Sequence, residues 1–153
     1  MKHVDKCPLQ DRAARPRPPP LTQARRAATH ACAHAVCRST RNLTDRQLDA
    51  IRESGGIVGF NFSVCDVRPD GRLDEDTSLD TVVSHLSYLV DRLGEDHVAL
   101  GSDFDGAVMP GSIRDASCLP NLVHSPRAHG FNDATINKIT FDNWMRVFRR
   151  SWH

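Results

Sequence analysis

Hydrophobic and polar positions follow two rhythms along the chain. Leu79, Val82, Val83, Leu86, Leu89, Val90 and Leu93 recur at the period of a helix that starts at Thr77 or Ser78 and stops at Gly94. A second helix is predicted after Thr44. Thr44 is an N-cap, Gln47 completes a capping box, Leu43 and Leu48 are spaced as a hydrophobic staple, and Gly55-Gly56 closes it, with Leu48 and Ile51 inward. Two short runs read as strands. One is Ile57-Val58-Gly59-Phe60-Asn61-Phe62; the other opens at His97 and halts at Ser102-Asp103-Phe104-Asp105-Gly106. A third strand is expected to end at Thr29 or His30, and Ala31 to Cys37 is compatible with one or two helical turns.

The remainder is punctuated by breakers. Residues 65–78 are polar with a turn at Pro69-Asp70-Gly71, and residues 107–130 read as loop with short helical pieces. Asn132 caps a further helix, with Phe131 and Ile136 as its staple, and a last amphipathic helix puts Trp144, Val147 and Phe148 on one face. Strand and helix alternate with short links, which is the signature of a parallel sheet in an α/β fold. Such sheets need both faces covered and their edges closed, so three strands read as the closing portion of a larger architecture.

The first residues have a different texture. Residues 1–29 hold five of the nine prolines, and seven Lys or Arg against Asp5 and Asp11. Residues 1–27 are therefore expected to be a disordered Pro/Arg-rich arm, and residues 28–153 the folded domain. The net charge of +1 argues against a dedicated nucleic-acid surface. No apolar run approaches the roughly 20 residues of a membrane span, and residues 1–20 lack the apolar core of a signal peptide, so secretion is not expected from this start. The five cysteines have no framework spacing, and reduced thiols in a cytoplasmic protein are the expectation.

Candidate chemistry gathers at strand ends. Polar groups at the C-terminal ends of parallel strands stand where α/β folds keep their sites. Asp103 is either a working carboxylate or a turn-former, and Asp105 shares its face in an extended chain. His30 is either a zinc ligand, imidazole and carboxylate both being good zinc donors, or a capping or core histidine. Arg41 is either a bidentate clamp for a substrate carboxylate or a solvated side chain. His30, Cys32, His34 and Cys37 do not make a zinc knuckle, because no paired Cys-x-x-Cys frame is present and no Glu follows His30 as in His-Glu-x-x-His.

Read together, several stretches resemble the membrane dipeptidase (renal dipeptidase-like) family of zinc metallopeptidases. They are Ala28-Thr29-His30 through Cys37, Ser39-Thr40-Arg41-Asn42-Leu43-Thr44-Asp45, Gly55 to Phe62, Asp96 to Gly106, and Asn143 to Phe148. The resemblance runs in unbroken order over residues 28–153. It implies a partial (β/α)8 TIM barrel made of about the last three βα units, with two zinc ions at the C-terminal face and dipeptides as substrates. It also implies His30 as a zinc ligand, Arg41 as the residue that holds the dipeptide's terminal carboxylate, and Asp103 as the proton-handling aspartate beside the metal-bound water.

The departures are equally specific. The family's His-x-Asp pair on strand one, its bridging glutamate and a further zinc histidine belong to the N-terminal half of the barrel. His3-Val4-Asp5 matches either a His-x-Asp pair or the family's histidine before strand six's helix only superficially, and Pro126 interrupts a segment that reads as helix in the family. The arm has no family counterpart and is read as a truncated or frame-shifted start. The expectation is thus a zinc-dependent dipeptidase represented by a fragment, assembling with a missing N-terminal half or as a homo-oligomer. The alternative is an inactive fragment that serves as an interaction or oligomerising module.

Overall fold

The structure, a computed structural model, describes residues 26–151. The expectations placed on the Pro/Arg-rich arm and on His3 lie outside the described residues. The described chain builds a mixed α/β fold around a three-stranded parallel sheet in the order β1 (Ala27–Ala31), β2 (Ile57–Asn61) and β3 (Val98–Ser102). Helix α1 (Asp45–Glu53) links the first two strands. A one-turn helix α2 (Val64–Val67) and the long helix α3 (Leu79–Leu93) link the second to the third.

The helices begin and end where their caps dictate. Thr44 and Gln47 form the expected box at α1, Thr44 N–H donating to Gln47 Oε1 at 2.9 Å. Ser78 Oγ accepts the Thr81 N–H at α3, and Gly94 ends that helix at φ 85°. After the short helix α4 (Leu119–His124), Asn132 caps α5 (Asp133–Asn137) by accepting the Thr135 N–H. A π-turn over Lys138–Asp142 joins α5 to α6 (Asn143–Ser151).

Alternate residues of the sheet enter two apolar layers. Val58, Phe60, Phe62 and Val98 pack with Leu48 and Ile51 of α1 and with Val82, Val83, Leu86 and Leu89 of α3, all buried. Ile57 and Ala99 face the other way, against Val147 and Trp144 of α6. Asn143 Nδ2 donates to the Val98 carbonyl at 2.8 Å and Trp144 Nε1 to the Leu100 carbonyl at 2.8 Å. Alternate carbonyls of β3 are thereby satisfied by α6, as a buried strand requires.

Two differences from the sequence expectations stand out. Ala31 to Cys37 forms no helix: Ala33 pairs as an isolated parallel bridge with Leu43, and His34 N–H and Leu43 N–H donate to the Leu43 and Cys32 carbonyls at 2.8 Å. The polar segment after β2 contains the short helix α2, which carries no periodic signal because it is a single turn. Among the described residues no helix is long and apolar enough to cross a membrane.

Candidate active site

The C-terminal ends of the three strands open onto one rim. β3 leaves its sheet through three residues in the left-handed region, Ser102 at φ 46°, Asp103 at φ 75° and Asp105 at φ 64°. Aspartate tolerates this region better than most residues, so the Asp-rich sequence suits the turn. Gly106 N–H donates to the Asp103 carbonyl at 3.2 Å, and a Cβ at Gly106 would lie 2.6 Å from Asp103 Oδ1. The glycine leaves room for the carboxylate to lean back over its own turn.

Arg41 comes to this carboxylate from the loop between β1 and α1. Bridging of Ala33 to Leu43 closes that loop, and Asn42 Nδ2 anchors its tip by donating to the carbonyls of Cys37 at 2.9 Å and Asp66 at 2.8 Å. Arg41 Nη2 stands 3.5 Å from Asp103 Oδ2, the arginine side chain 58% exposed and the aspartate 17%. On its other edge, Arg41 Nε faces Asp66 Oδ2 at 4.0 Å. The guanidinium is therefore bracketed by two carboxylates while its remaining donors face solvent.

Asn61, the last residue of β2, ties the group together. Its Nδ2 reaches Asp103 Oδ2 at 3.3 Å and Asp66 Oδ2 at 3.4 Å, and its Oδ1 accepts the Ser63 N–H at 2.8 Å. Ser39 Oγ donates to Asp66 Oδ1 at 2.6 Å. Beneath them the Cys32 thiol donates to the Asn61 carbonyl at 3.2 Å, and burial pushes its pKa well above the usual thiol value. Cys32 is a packed side chain here, not a nucleophile.

Of the three residues singled out by sequence, Arg41 and Asp103 are brought together. His30 ends up near the same rim on β1, exposed, its Nδ1 2.9 Å from Thr29 Oγ1. Asn61, Asp66 and Ser39 were missed. Asn61 had a usable signal, since it ends β2 as His30 and Asp103 mark the ends of their strands. Asp66 had none, because nothing in a polar stretch shows that one carboxylate will be buried.

Zinc sites take three or four side-chain ligands. Among the described residues, no cluster of three or more His, Cys, Asp or Glu side chains could hold a metal ion. His30 and Asp103 are suitable donor types, but the described residues do not make a zinc site by themselves.

Residues 21–151 match the membrane dipeptidase family, peptidase family M19. A protein encoded in the pqqA 5′ region of Klebsiella pneumoniae is 51% identical over 125 residues, a match covering 82% of this chain and 46% of that relative. The solved structure of dipeptidase AC, a metallopeptidase of family M19, has a TM-score of 0.83 at 51% identity, over 86% of this chain and 39% of that one. A metallopeptidase from Rhodobacter sphaeroides, crystallised with a phosphinate mimic of the dipeptide L-Ala-D-Ala, gives a TM-score of 0.83 at 50% identity, over 86% of this chain and 38% of that one. The matched stretch spans less than half the length of each of these relatives. Sequence match and shared sheet topology together place the chain in the membrane dipeptidase family of metallopeptidases.

Proposed function

We propose that the chain carries one side of a zinc-dependent dipeptidase site, with Arg41 binding the free carboxylate of a dipeptide and Asp103 handling the proton of the hydrolytic water. The observation that carries this reading is the Arg41–Asp103 pair, 3.5 Å apart at the C-terminal end of a parallel sheet. In the same reading the three strands are the last three of a (β/α)8 barrel, and His30 is one zinc ligand. The remaining ligands of the family's two-zinc site belong to the part of the relatives outside the matched stretch. That is why no complete ligand set occurs among the described residues.

The chemistry open to these side chains is specific. A guanidinium offers two parallel N–H donors to a carboxylate, so Arg41 selects substrates with a free C-terminus. Asp103 takes a proton from water as its oxygen bonds to the scissile carbonyl carbon. It returns that proton to the leaving nitrogen as the C–N bond breaks. The L-Ala-D-Ala mimic bound by the Rhodobacter sphaeroides relative makes L-Ala-D-Ala the first substrate to test.

A hybrid enzyme tests the reading. Residues 28–151 of this chain, exchanged for the matching portion of dipeptidase AC, should give a zinc-dependent enzyme that hydrolyses L-Ala-D-Ala. A hybrid that folds and takes up zinc yet shows no turnover would refute it. Assayed alone, the chain is expected to retain fewer than two zinc ions.

A further inference from the structure

Asp66 is a carboxylate with almost no access to water, its side chain 3% exposed. Burying a carboxylate is costly unless partners compensate it. Its Oδ1 accepts from Ser39 Oγ at 2.6 Å, and its Oδ2 faces Asn61 Nδ2 at 3.4 Å and Arg41 Nε at 4.0 Å. The cation paired with it among the described residues is thus Arg41, the side chain assigned to the substrate carboxylate. The same amide nitrogen of Asn61 also reaches Asp103. Both active groups of the rim therefore refer back to one buried charge.

We propose that Asp66 is the positioning residue of this site, orienting the Nε edge of Arg41 through an ion pair at 4.0 Å and the Asp103 carboxylate through Asn61. An exposed arginine on a loop otherwise samples many rotamers, and fixing the Nε edge leaves the Nη donors other than the one facing Asp103 presented to a ligand. Asp66 itself stays behind the guanidinium and does not touch substrate. The proposal rests on the dipeptidase reading only for what Arg41 is held ready to bind.

Side-chain NMR of the full chain tests it without needing turnover. In the unaltered protein the Arg41 Nε–H should exchange with solvent about fivefold more slowly than that of Arg38, exposed on the same loop, as an ion pair with the buried carboxylate 4.0 Å away would impose. Equal rates would overturn the proposal, and this comparison requires no variant. Asp66→Asn should bring Arg41 to within about twofold of Arg38, because the amide keeps the shape but loses the charge. Ser39→Ala loosens the loop but keeps the carboxylate, so Arg41 should stay protected. Loss of protection there as large as in Asp66→Asn would assign the effect to the loop and overturn the proposal. Titration with L-Ala-D-Ala then addresses the substrate separately. A protected Arg41 that ignores the dipeptide supports Asp66 as the positioning residue and counts against the dipeptide.

Discussion

At the residue scale, Asp103 is held in a backbone conformation that most side chains avoid. Its φ of 75°, with Ser102 at 46° before it, turns the chain out of β3 and aims the carboxylate at Arg41. Asparagine has the same shape and the same tolerance for the left-handed region, so Asp103→Asn isolates charge from fold. In the hybrid enzyme this change should lower kcat by about 10²- to 10⁴-fold, the usual worth of a positioned proton carrier, with an unchanged melting temperature. An unaltered kcat would remove Asp103 from proton transfer. Arg41→Ala should act on binding instead. Loss of a charge-assisted hydrogen bond predicts a KM about 10- to 100-fold higher with kcat little affected, and Arg41→Lys should not restore it, since an ammonium lacks the planar fork. Steady-state rates on L-Ala-D-Ala separate the two outcomes.

At the scale of elements, the sheet depends on glycine where β1 bends over it. The β1–β2 register shifts between Ala28 and Ala31, and the Thr29 carbonyl comes down on β2 and β3 together. A Cβ at Gly59 would lie 2.1 Å from that oxygen, and one at Gly101 2.3 Å from it. Backbone cannot yield as a flexible side chain does, so Gly101→Ala is expected to destabilise the fold by about 3 kcal/mol, read as a lower urea midpoint. A midpoint within error of the unaltered chain would show that β1 can move aside. Elements of this kind were legible because their signals are local: the α3 stripe, the Thr44 and Ser78 caps, and the apolar runs of β2 and β3 each reside in a few neighbouring residues. The turn expected as helix after Ala31 was not legible, because its fate is set by pairing with Leu43, ten residues on. The site divides the same way. Arg41 and Asp103 stand in distinctive sequence contexts, whereas the roles of Asn61 and Asp66 arise only when separate loops converge and exclude water.

At the scale of the whole molecule, one buried histidine binds three segments. His85 of α3 is fully buried beside Phe60, ring centroids 5.8 Å apart. Its Nε2 accepts the Ala33 N–H at 2.9 Å, which requires the proton on Nδ1, and Nδ1–H donates to the Val67 carbonyl at 2.9 Å. The loop that carries Arg41, the helix that carries Asp66 and the core helix thus meet at a neutral imidazole. Burial lowers its pKa below the ordinary value, outweighing the opposing influences of the Val67 carbonyl and Asp66. Because the folded pKa is depressed, the unfolded chain takes up this proton first on acidification. The stabilisation is complete above about pH 6.5 and is lost as pH falls toward the folded value, at up to about 1.4 kcal/mol per pH unit. Glu95 and Asp96, whose pKa values the Lys138 ammonium lowers by hydrogen bonding, add their losses only in the more acidic carboxylate range. Urea midpoints at pH 7, 6 and 5 should therefore fall for the unaltered chain. His85→Gln should start lower at pH 7, by about 1–3 kcal/mol for a disturbed buried network, and change less across the same window. Parallel pH profiles for the two proteins would mean that the acid sensitivity lies elsewhere and that His85 serves only as a neutral tie between the loop and the helix.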